Sequence, residues 1–92
     1  MQSFTVIRSV KVPLDNGHQI EIKYSLWNGQ EQVFFNGRLV SEKRSFMFVT
    51  AHLFTETEAD QSISYEVNLL TGMMGGYGYI IRRNGIAVAS QP

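Results

Sequence analysis

The sequence contains no cysteine, only two prolines and no excess of either charge. The absence of cysteine excludes disulfide bonds, thiolate metal sites and a cysteine nucleophile, so the fold must be stabilised by packing. Eight basic residues balance eight acidic ones, whereas proteins that bind nucleic acids or membrane surfaces by bulk electrostatics carry a clear cationic excess. We therefore expect neither a nucleic acid nor a membrane as a partner.

Long hydrophobic runs are also missing. No window approaches the roughly 20 apolar residues of a membrane-spanning helix, and residues 1–4 lack the basic and apolar regions that begin a secretory signal. Together with the absence of cysteine, this pattern predicts a soluble cytoplasmic protein. A chain of 92 residues has room for one hydrophobic core, so we expect residues 1–92 to form a single β-sandwich domain.

No segment shows the 3.6-residue period of a helix. Instead, Asn-Gly pairs separate stretches in which apolar and polar residues alternate. A type I′ hairpin turn needs positive φ at both central positions, which Asn tolerates and Gly adopts freely. We expect such hairpins here, except that the first pair follows Pro13 and Asp15 and belongs to a longer turn. The pairs are Asn16-Gly17, Asn28-Gly29, Asn36-Gly37 and Asn84-Gly85.

The alternating stretches predict an all-β fold, an antiparallel β-sandwich of about seven to eight strands built from hairpins. Residues 18–27 alternate most regularly, and the two pairs on either side of residues 30–35 predict a meander from His18 to Val40. In residues 46–54 both the odd-numbered and the even-numbered positions include apolar residues. This pattern is typical of a central strand covered on both faces, or of an interface strand. Residues 56–61 are acidic and polar and are expected to form a loop.

Residue patterns that would carry catalysis or bind a metal ion are incomplete. His18 and His52 are far apart in sequence, with no dyad or ligand spacing. The acidic residues from Glu56 to Asp60 alternate like the first ligands of a calcium loop, but Gln61 and Val67 stand where that loop needs Gly and a bidentate Glu. The glycine-rich segment at residues 72–78 lacks the Lys and Ser/Thr of a phosphate loop. We therefore expect no catalytic residue, no cofactor and no metal site.

Four apolar residues are candidates for an interaction surface, with packing in the core as the alternative. Trp27 falls on the wet face of its strand with Phe34 nearby, and aromatic residues are enriched at protein interfaces. Met73 and Met74 adjoin within the glycine-rich segment, where flexible methionines adapt to a partner. The candidate surface therefore comprises Trp27, Phe34, Met73 and Met74.

Two basic pairs, Lys43-Arg44 and Arg82-Arg83, are expected to be edge-strand charges. Charged side chains on an edge strand discourage pairing with other chains. If the fold brought the two pairs together, they would instead offer a site for an anion or an acidic partner.

The order of the hairpin markers is itself informative. It begins with Asp15-Asn16-Gly17-His18-Gln19-Ile20-Glu21-Ile22, continues with Gly29, Val33-Phe34-Phe35-Asn36-Gly37 and Lys43-Arg44-Ser45-Phe46-Met47-Phe48, and ends with Tyr77-Gly78-Tyr79-Ile80-Ile81 and Asn84-Gly85. This order resembles a repeat of the Fas apoptosis inhibitory molecule family over residues 12–88. The resemblance implies a compact antiparallel β-sandwich without an established active site that acts through protein contacts. Animal members carry two such repeats and this chain has room for one, so their survival-signalling role is not carried over.

Two functional hypotheses follow. The first is a non-catalytic interaction domain that binds a partner protein or associates with itself as a homodimer, since small sandwiches have edge strands that can pair across a two-fold axis. The alternative is a small-molecule-binding β-barrel or sandwich with an internal pocket. Such a pocket would be lined by Phe48, His52, Tyr65 and Tyr79.

Overall fold

The computed structural model describes residues 7–25, 29–44, 49–71 and 77–91. These residues form strands joined by turns, and no helix among them is long and apolar enough to cross a membrane. The strands are β1 (Ile7–Pro13), β2 (Gln19–Ser25), β3 (Gln30–Phe35), β4 (Arg38–Arg44), β5 (Val49–Glu58), β6 (Gln61–Thr71), β7 (Tyr77–Arg83) and β8 (Ile86–Gln91).

The described strands form two four-stranded sheets in which each strand pairs with its neighbour in sequence. Sheet A has the order β1-β2-β3-β4 and sheet B the order β5-β6-β7-β8, and all pairings are antiparallel. Backbone contacts divide the chain into two units, Met1–Phe46 and Met47–Pro92. The predicted class, all-β and antiparallel with seven to eight hairpin-built strands, is confirmed, as is the meander from His18 to Val40. That residues 1–92 form a single domain stays a prediction.

Each sheet has one buried face, and the alternation of the sequence determines which residues lie on it. In β2, Ile20, Ile22 and Tyr24 are buried, while the residues between them are partly exposed. In β6 the apolar residues at every second position from Ile63 to Leu69 are all buried. Full burial of such a side chain stabilises the fold by about 1.5–3 kcal/mol, so a one-residue slip of either strand is strongly disfavoured.

The prediction of a central strand at residues 46–54 is wrong for the part that the structure describes. Residues 45–48 lie outside the described residues, and β5, which follows them, is an edge strand of sheet B. The two faces of β5 differ in environment: His52, at an even-numbered position, is fully buried, whereas Val49 and Leu53, at odd-numbered positions, are 59% and 66% exposed. The other interpretation of this segment, an interface strand, stays a prediction.

The predicted loop at residues 56–61 is also wrong, because β5 continues to Glu58 and β6 begins at Gln61. A two-residue turn joins them, with φ of 50° at Ala59 and 62° at Asp60. Both central residues are left-handed, as a type I′ turn requires. Asp tolerates this conformation through its short polar side chain, whereas alanine has no such compensation. The turn was missed because it does not contain an Asn-Gly pair.

The Asn-Gly turns that close β3-β4 and β7-β8 have the geometry predicted for them. Asn36 and Asn84 have φ of 50° and 51°, and the glycines that follow have φ of 86° and 82°. In the first pair only Gly17 has positive φ, which fits the longer turn expected there. Asn28 lies outside the described residues.

The asparagine of each of these two Asn-Gly turns also binds back to the second strand of its own sheet. The Asn36 N–H donates to the Gln19 carbonyl at 2.9 Å, and Asn36 Oδ1 accepts from the Gln19 N–H at 2.9 Å. In sheet B, Asn84 makes the same two bonds with Ser64, at 2.7 and 3.0 Å. We call this two-way contact the Asn clamp; it joins the β3-β4 turn to β2 and the β7-β8 turn to β6.

The two sheets share more than the clamp. In each, the pairing of the third and fourth strands shifts register, between Val33 and Phe34 in sheet A and between Ile81 and Arg82 in sheet B. Each unit is therefore a four-stranded meander with the same turn, the same clamp and a bulge at the same place.

Replacing either clamp asparagine by glycine removes the side-chain bond while the turn keeps its positive φ. We expect Asn84→Gly to lower the free energy of unfolding by about 0.5–1.5 kcal/mol, the net contribution of one hydrogen bond. Asn36→Gly should cost more, because Asn36 Nδ2 also donates to His18 Nδ1 at 2.9 Å. Urea titration measures both losses. In a His18→Ala background, Asn36→Gly should cost no more than Asn84→Gly does. An extra cost of Asn36→Gly that is the same with and without His18 would contradict this assignment.

Replacing Ala59 by glycine relieves the left-handed strain at that turn. We expect Ala59→Gly to raise the free energy of unfolding by about 0.5–1 kcal/mol, the left-handed penalty of alanine less the entropy of glycine. Gly85→Ala is the matched reverse change, because no atom lies within 4 Å of the Cβ it would add. It should destabilise by about 1 kcal/mol. Thermal and urea unfolding of both variants check the pair.

Candidate interaction surface

An apolar pair lies on the partly exposed face of sheet A, beside the turn between β3 and β4. Phe34 belongs to β3, between the buried residues Val33 and Phe35, so its side chain points to the opposite face. Cross-strand pairing places it between Glu21 of β2 and Leu39 of β4. Leu39 is 45% exposed and Phe34 is half-buried. The chain thus presents two adjacent apolar side chains on a face whose neighbours are mostly polar.

The pairing of Phe34 with Leu39 follows from the turn. In a two-residue hairpin around Asn36-Gly37, Phe35 faces Arg38 and Phe34 faces Leu39. The bulge comes directly after this pair, since Val33 faces Ser41 and not Val40. The turn therefore fixes the apolar pair, and the bulge re-aims the strand beyond it.

A lysine lies over the aromatic ring of this pair. Lys23 Nζ is 5.0 Å from the centroid of the Phe34 ring, within the distance of a cation–π interaction. Such a contact contributes about 0.5–1 kcal/mol at an exposed site. It also orients the ring and keeps a positive charge beside the apolar pair.

Two carboxylates hold the polar residues around the pair in defined positions. Glu21 Oε2 accepts a hydrogen bond from Ser9 Oγ at 2.7 Å. Glu42 Oε2 accepts from Gln30 Nε2 at 2.6 Å and from Gln32 Nε2 at 2.7 Å. An apolar centre with an ordered polar rim is the usual anatomy of a protein interface. We call Lys23, Phe34 and Leu39, with Glu21 and Glu42 at the rim, the Phe34 surface.

The structure bears on one of the four residues predicted for the interaction surface. Phe34 lies on an outer sheet face, whereas Trp27, Met73 and Met74 lie outside the described residues. Lys23 and Leu39 were missed by the sequence analysis. The register that Asn36-Gly37 imposes was a signal that could have found Leu39, because it pairs Phe34 with the residue two positions after the turn.

The basic pairs have different positions from each other. Lys43-Arg44 is exposed on β4, an edge strand, as predicted. The prediction is wrong for Arg82-Arg83, because these residues lie on β7, which has β6 on one side and β8 on the other. The last hairpin folds β8 against β7 and so removes it from the edge.

Arg83 belongs to a polar cluster on the buried-parity side of sheet B. Its guanidinium forms an ion pair with Glu58 Oε1, and the Tyr65 hydroxyl donates to Glu58 Oε2 at 2.5 Å. The hydrogen bond to Glu58 raises the pKa of Arg83 above its usual value. The ring of Phe54 stacks on that of Tyr65, with centroids 5.2 Å apart. Both carboxylate oxygens of Glu58 are thus occupied, and the cluster joins β5, β6 and β7.

The residues predicted to line a pocket are buried side chains of sheet B. His52 and Tyr65 are fully buried and Tyr79 is 9% exposed, while Phe48 lies outside the described residues. An open depression of about 310 Å³ lies elsewhere on sheet B, and none of these residues lines it; its lining residues are Leu70, Ile80, Ser90 and Gln91. The pocket hypothesis stays a prediction.

The histidines do not form part of a metal site in the described part of the chain, where no three His, Cys, Asp or Glu side chains are grouped to hold an ion. His18 lies beside the first turn, where its ring contacts that of Phe35 at 4.9 Å. Asn36 Nδ2 can only donate, so His18 Nδ1 accepts this hydrogen bond. His18 is therefore an accessory of the Asn clamp.

Comparison of the chain with protein-family models, with curated proteins and with solved structures found no match. The resemblance to the Fas apoptosis inhibitory molecule family therefore stays a prediction.

Replacing Tyr65 by phenylalanine tests the polar cluster while keeping the stacked ring. We expect a loss of about 1.5–3 kcal/mol in the free energy of unfolding, typical of a hydrogen bond to a charged group. Chemical denaturation measures it. In a double-mutant cycle, the loss of stability in the Tyr65→Phe, Glu58→Gln double variant should be smaller than the sum of the losses in the two single variants. Additive losses would mean that the hydroxyl and the carboxylate do not interact.

Proposed function

We propose that this chain is a non-catalytic β domain that acts through protein–protein contacts, with the Phe34 surface as its recognition site. The observation that carries the proposal is the apolar pair of half-buried Phe34 and exposed Leu39 beside hydrogen-bonded polar side chains. Aromatic anchors of this kind contribute a large share of the binding energy at interfaces, commonly about 2 kcal/mol or more on truncation to alanine.

The position of the pair in the sheet supports a preformed site. Phe34 is on β3, which has hydrogen-bonded neighbours on both sides, and the Asn clamp joins the adjoining turn to β2. A site held on strands loses little conformational freedom on binding, and this favours affinity.

The charges around the pair indicate the chemistry of the partner. Lys23 lies over one side of the Phe34 ring, while Glu21 and Glu42 are the carboxylates of the rim. A fitting partner presents an apolar side chain to Phe34 and Leu39, with an acidic group towards Lys23 and a basic group towards the carboxylates.

We also propose that the domain has no enzymatic activity and no cofactor, and that it works in the cytoplasm. The polar side chains of Glu58, Tyr65 and Arg83 are engaged with one another. This supports a structural role for them. The absence of cysteine supports a reducing compartment.

Affinity capture with three variants tests the Phe34 surface. The immobilised wild type, Phe34→Ala and Leu39→Ser are exposed to a lysate of the source organism, and captured proteins are quantified by mass spectrometry. We expect one partner to be captured by the wild type and reduced about tenfold or more by each variant, which corresponds to a loss of roughly 1.4 kcal/mol.

The matched control is Leu53→Ser, which removes an exposed leucine from sheet B. It should capture the partner as well as the wild type does. A partner that binds all variants equally, or that is lost only with Leu53→Ser, would show that the Phe34 surface is not the site.

A further inference from the structure

The four edge strands differ in how they are protected from pairing with another chain. Natural edges carry charged residues, prolines or bulges for this purpose. Three of the four edges have such residues: Arg8, Lys11 and Pro13 in β1, Arg38, Glu42, Lys43 and Arg44 in β4, and Glu56 and Glu58 in β5. The edge strand β8, Ile86–Gln91, has neither a charged residue nor a proline.

The side chains of β8 are also unusually apolar for their exposure. Ile86 is 70% exposed and Val88 is 42% exposed. In the part of the chain that the structure describes, the five exposed large apolar side chains all lie on edge strands, and two of them are on this six-residue strand. Among the described strands, β8 pairs with β7 alone, so one of its two edges offers backbone groups for pairing.

The edge strand β5 is the nearest competitor, because Val49 and Leu53 are exposed. Charge sets it apart, because its second half carries Glu56 and Glu58, whereas β8 has no charged residue. The bulge does not distinguish the edges of the two sheets, since β4 carries one at the equivalent place.

Charge also decides which strand can pair with itself. In antiparallel self-pairing each strand faces its own sequence, so a strand whose charges all have one sign, such as β1 or β5, brings like charges together. In β1, self-pairing would bring Arg8 and Lys11 of one copy close to the same residues of the other copy, and such like-charge contacts are destabilising. In β8 every facing pair is uncharged whatever the register.

We propose that β8 pairs antiparallel with β8 of a second copy of this chain about a two-fold axis, which extends sheet B to a continuous eight-stranded sheet. This deepens the proposed contact function by naming one partner, but it uses sheet B and not the Phe34 surface of sheet A. Facing Cα atoms would lie about 4.5–5.5 Å apart. The contact is short, so the dimer is weak and dependent on concentration.

Sedimentation equilibrium from about 10 µM to about 1 mM, a range suited to weak complexes, tests the self-association. We expect a reversible dimer for the wild type and a monomer for Val88→Lys, because two like charges then lie near the two-fold axis. Leu53→Lys, on the opposite edge of sheet B, should dimerise like the wild type. Circular dichroism checks that each variant is folded. A wild type that stays monomeric at about 1 mM overturns the proposal.

Single-cysteine crosslinking locates the contact and does not depend on a disruptive variant. The chain has no cysteine, so one introduced thiol is the only thiol present. Each residue from Ile86 to Gln91 is replaced in turn, and disulfide dimers formed by mild oxidation are quantified. An antiparallel two-fold pairing predicts a maximum at the residues nearest the axis and a decline towards both ends, since only there are Cα distances within disulfide range. Uniform crosslinking, or stronger crosslinking by Leu53→Cys, contradicts the pairing.

The Phe34→Ala variant separates the two proposals. We expect it to dimerise as the wild type does while it loses the captured partner. If Phe34→Ala instead abolishes the dimer, then the self-contact is made by sheet A and the β8 pairing is wrong. If the dimer persists in all variants of β8, the pairing is wrong whatever the capture experiment shows.

Discussion

The left-handed backbone at Asn36 and Asn84 is the constraint on which the rest of each sheet depends. Two consecutive residues with positive φ give the turn a twist that matches its strands, and this fixes which residues face each other across the hairpin. The same asparagines bind the second strand through both backbone and side chain. In each sheet, one asparagine in a left-handed conformation therefore aligns the second, third and fourth strands. The pairing of Phe34 with Leu39, and hence the Phe34 surface, follows from it.

Much of this could be predicted from the sequence because it is local. Asn-Gly pairs, period-two alternation and the inward residues of β2 and β6 all depend on neighbouring residues. Ala59-Asp60 shows the limit, since the turn is held in a strained conformation by the strands on either side and not by its own residues. Strand order beyond the meander from His18 to Val40 was not predicted, because a hairpin signal identifies one neighbour and says nothing about longer connections.

The errors arose where environment depends on distant residues. An apolar segment has the same sequence pattern whether it is covered on two faces or exposed at the edge of a sheet, and β5 is an edge strand. Likewise, Arg83 looks like a surface charge until Glu58, far from it in sequence, provides its partner. Of the candidate site, Phe34 was predicted from its aromatic character. Lys23 and Leu39 were not, because their importance comes from the cross-strand register.

The two sheets also provide an internal comparison. Both β4 and β8 follow an Asn-Gly turn of the same type, carry a bulge at the same place and end a four-stranded meander. The turn, the bulge and the pairing with the third strand therefore place the same structural requirements on β4 and on β8. Yet β4 continues from its bulge into Ser41-Glu42-Lys43-Arg44, whereas β8 continues into Ala89-Ser90-Gln91. The shared architecture does not require this difference, so the absence of charge from β8 supports the proposed pairing of this edge with a second copy.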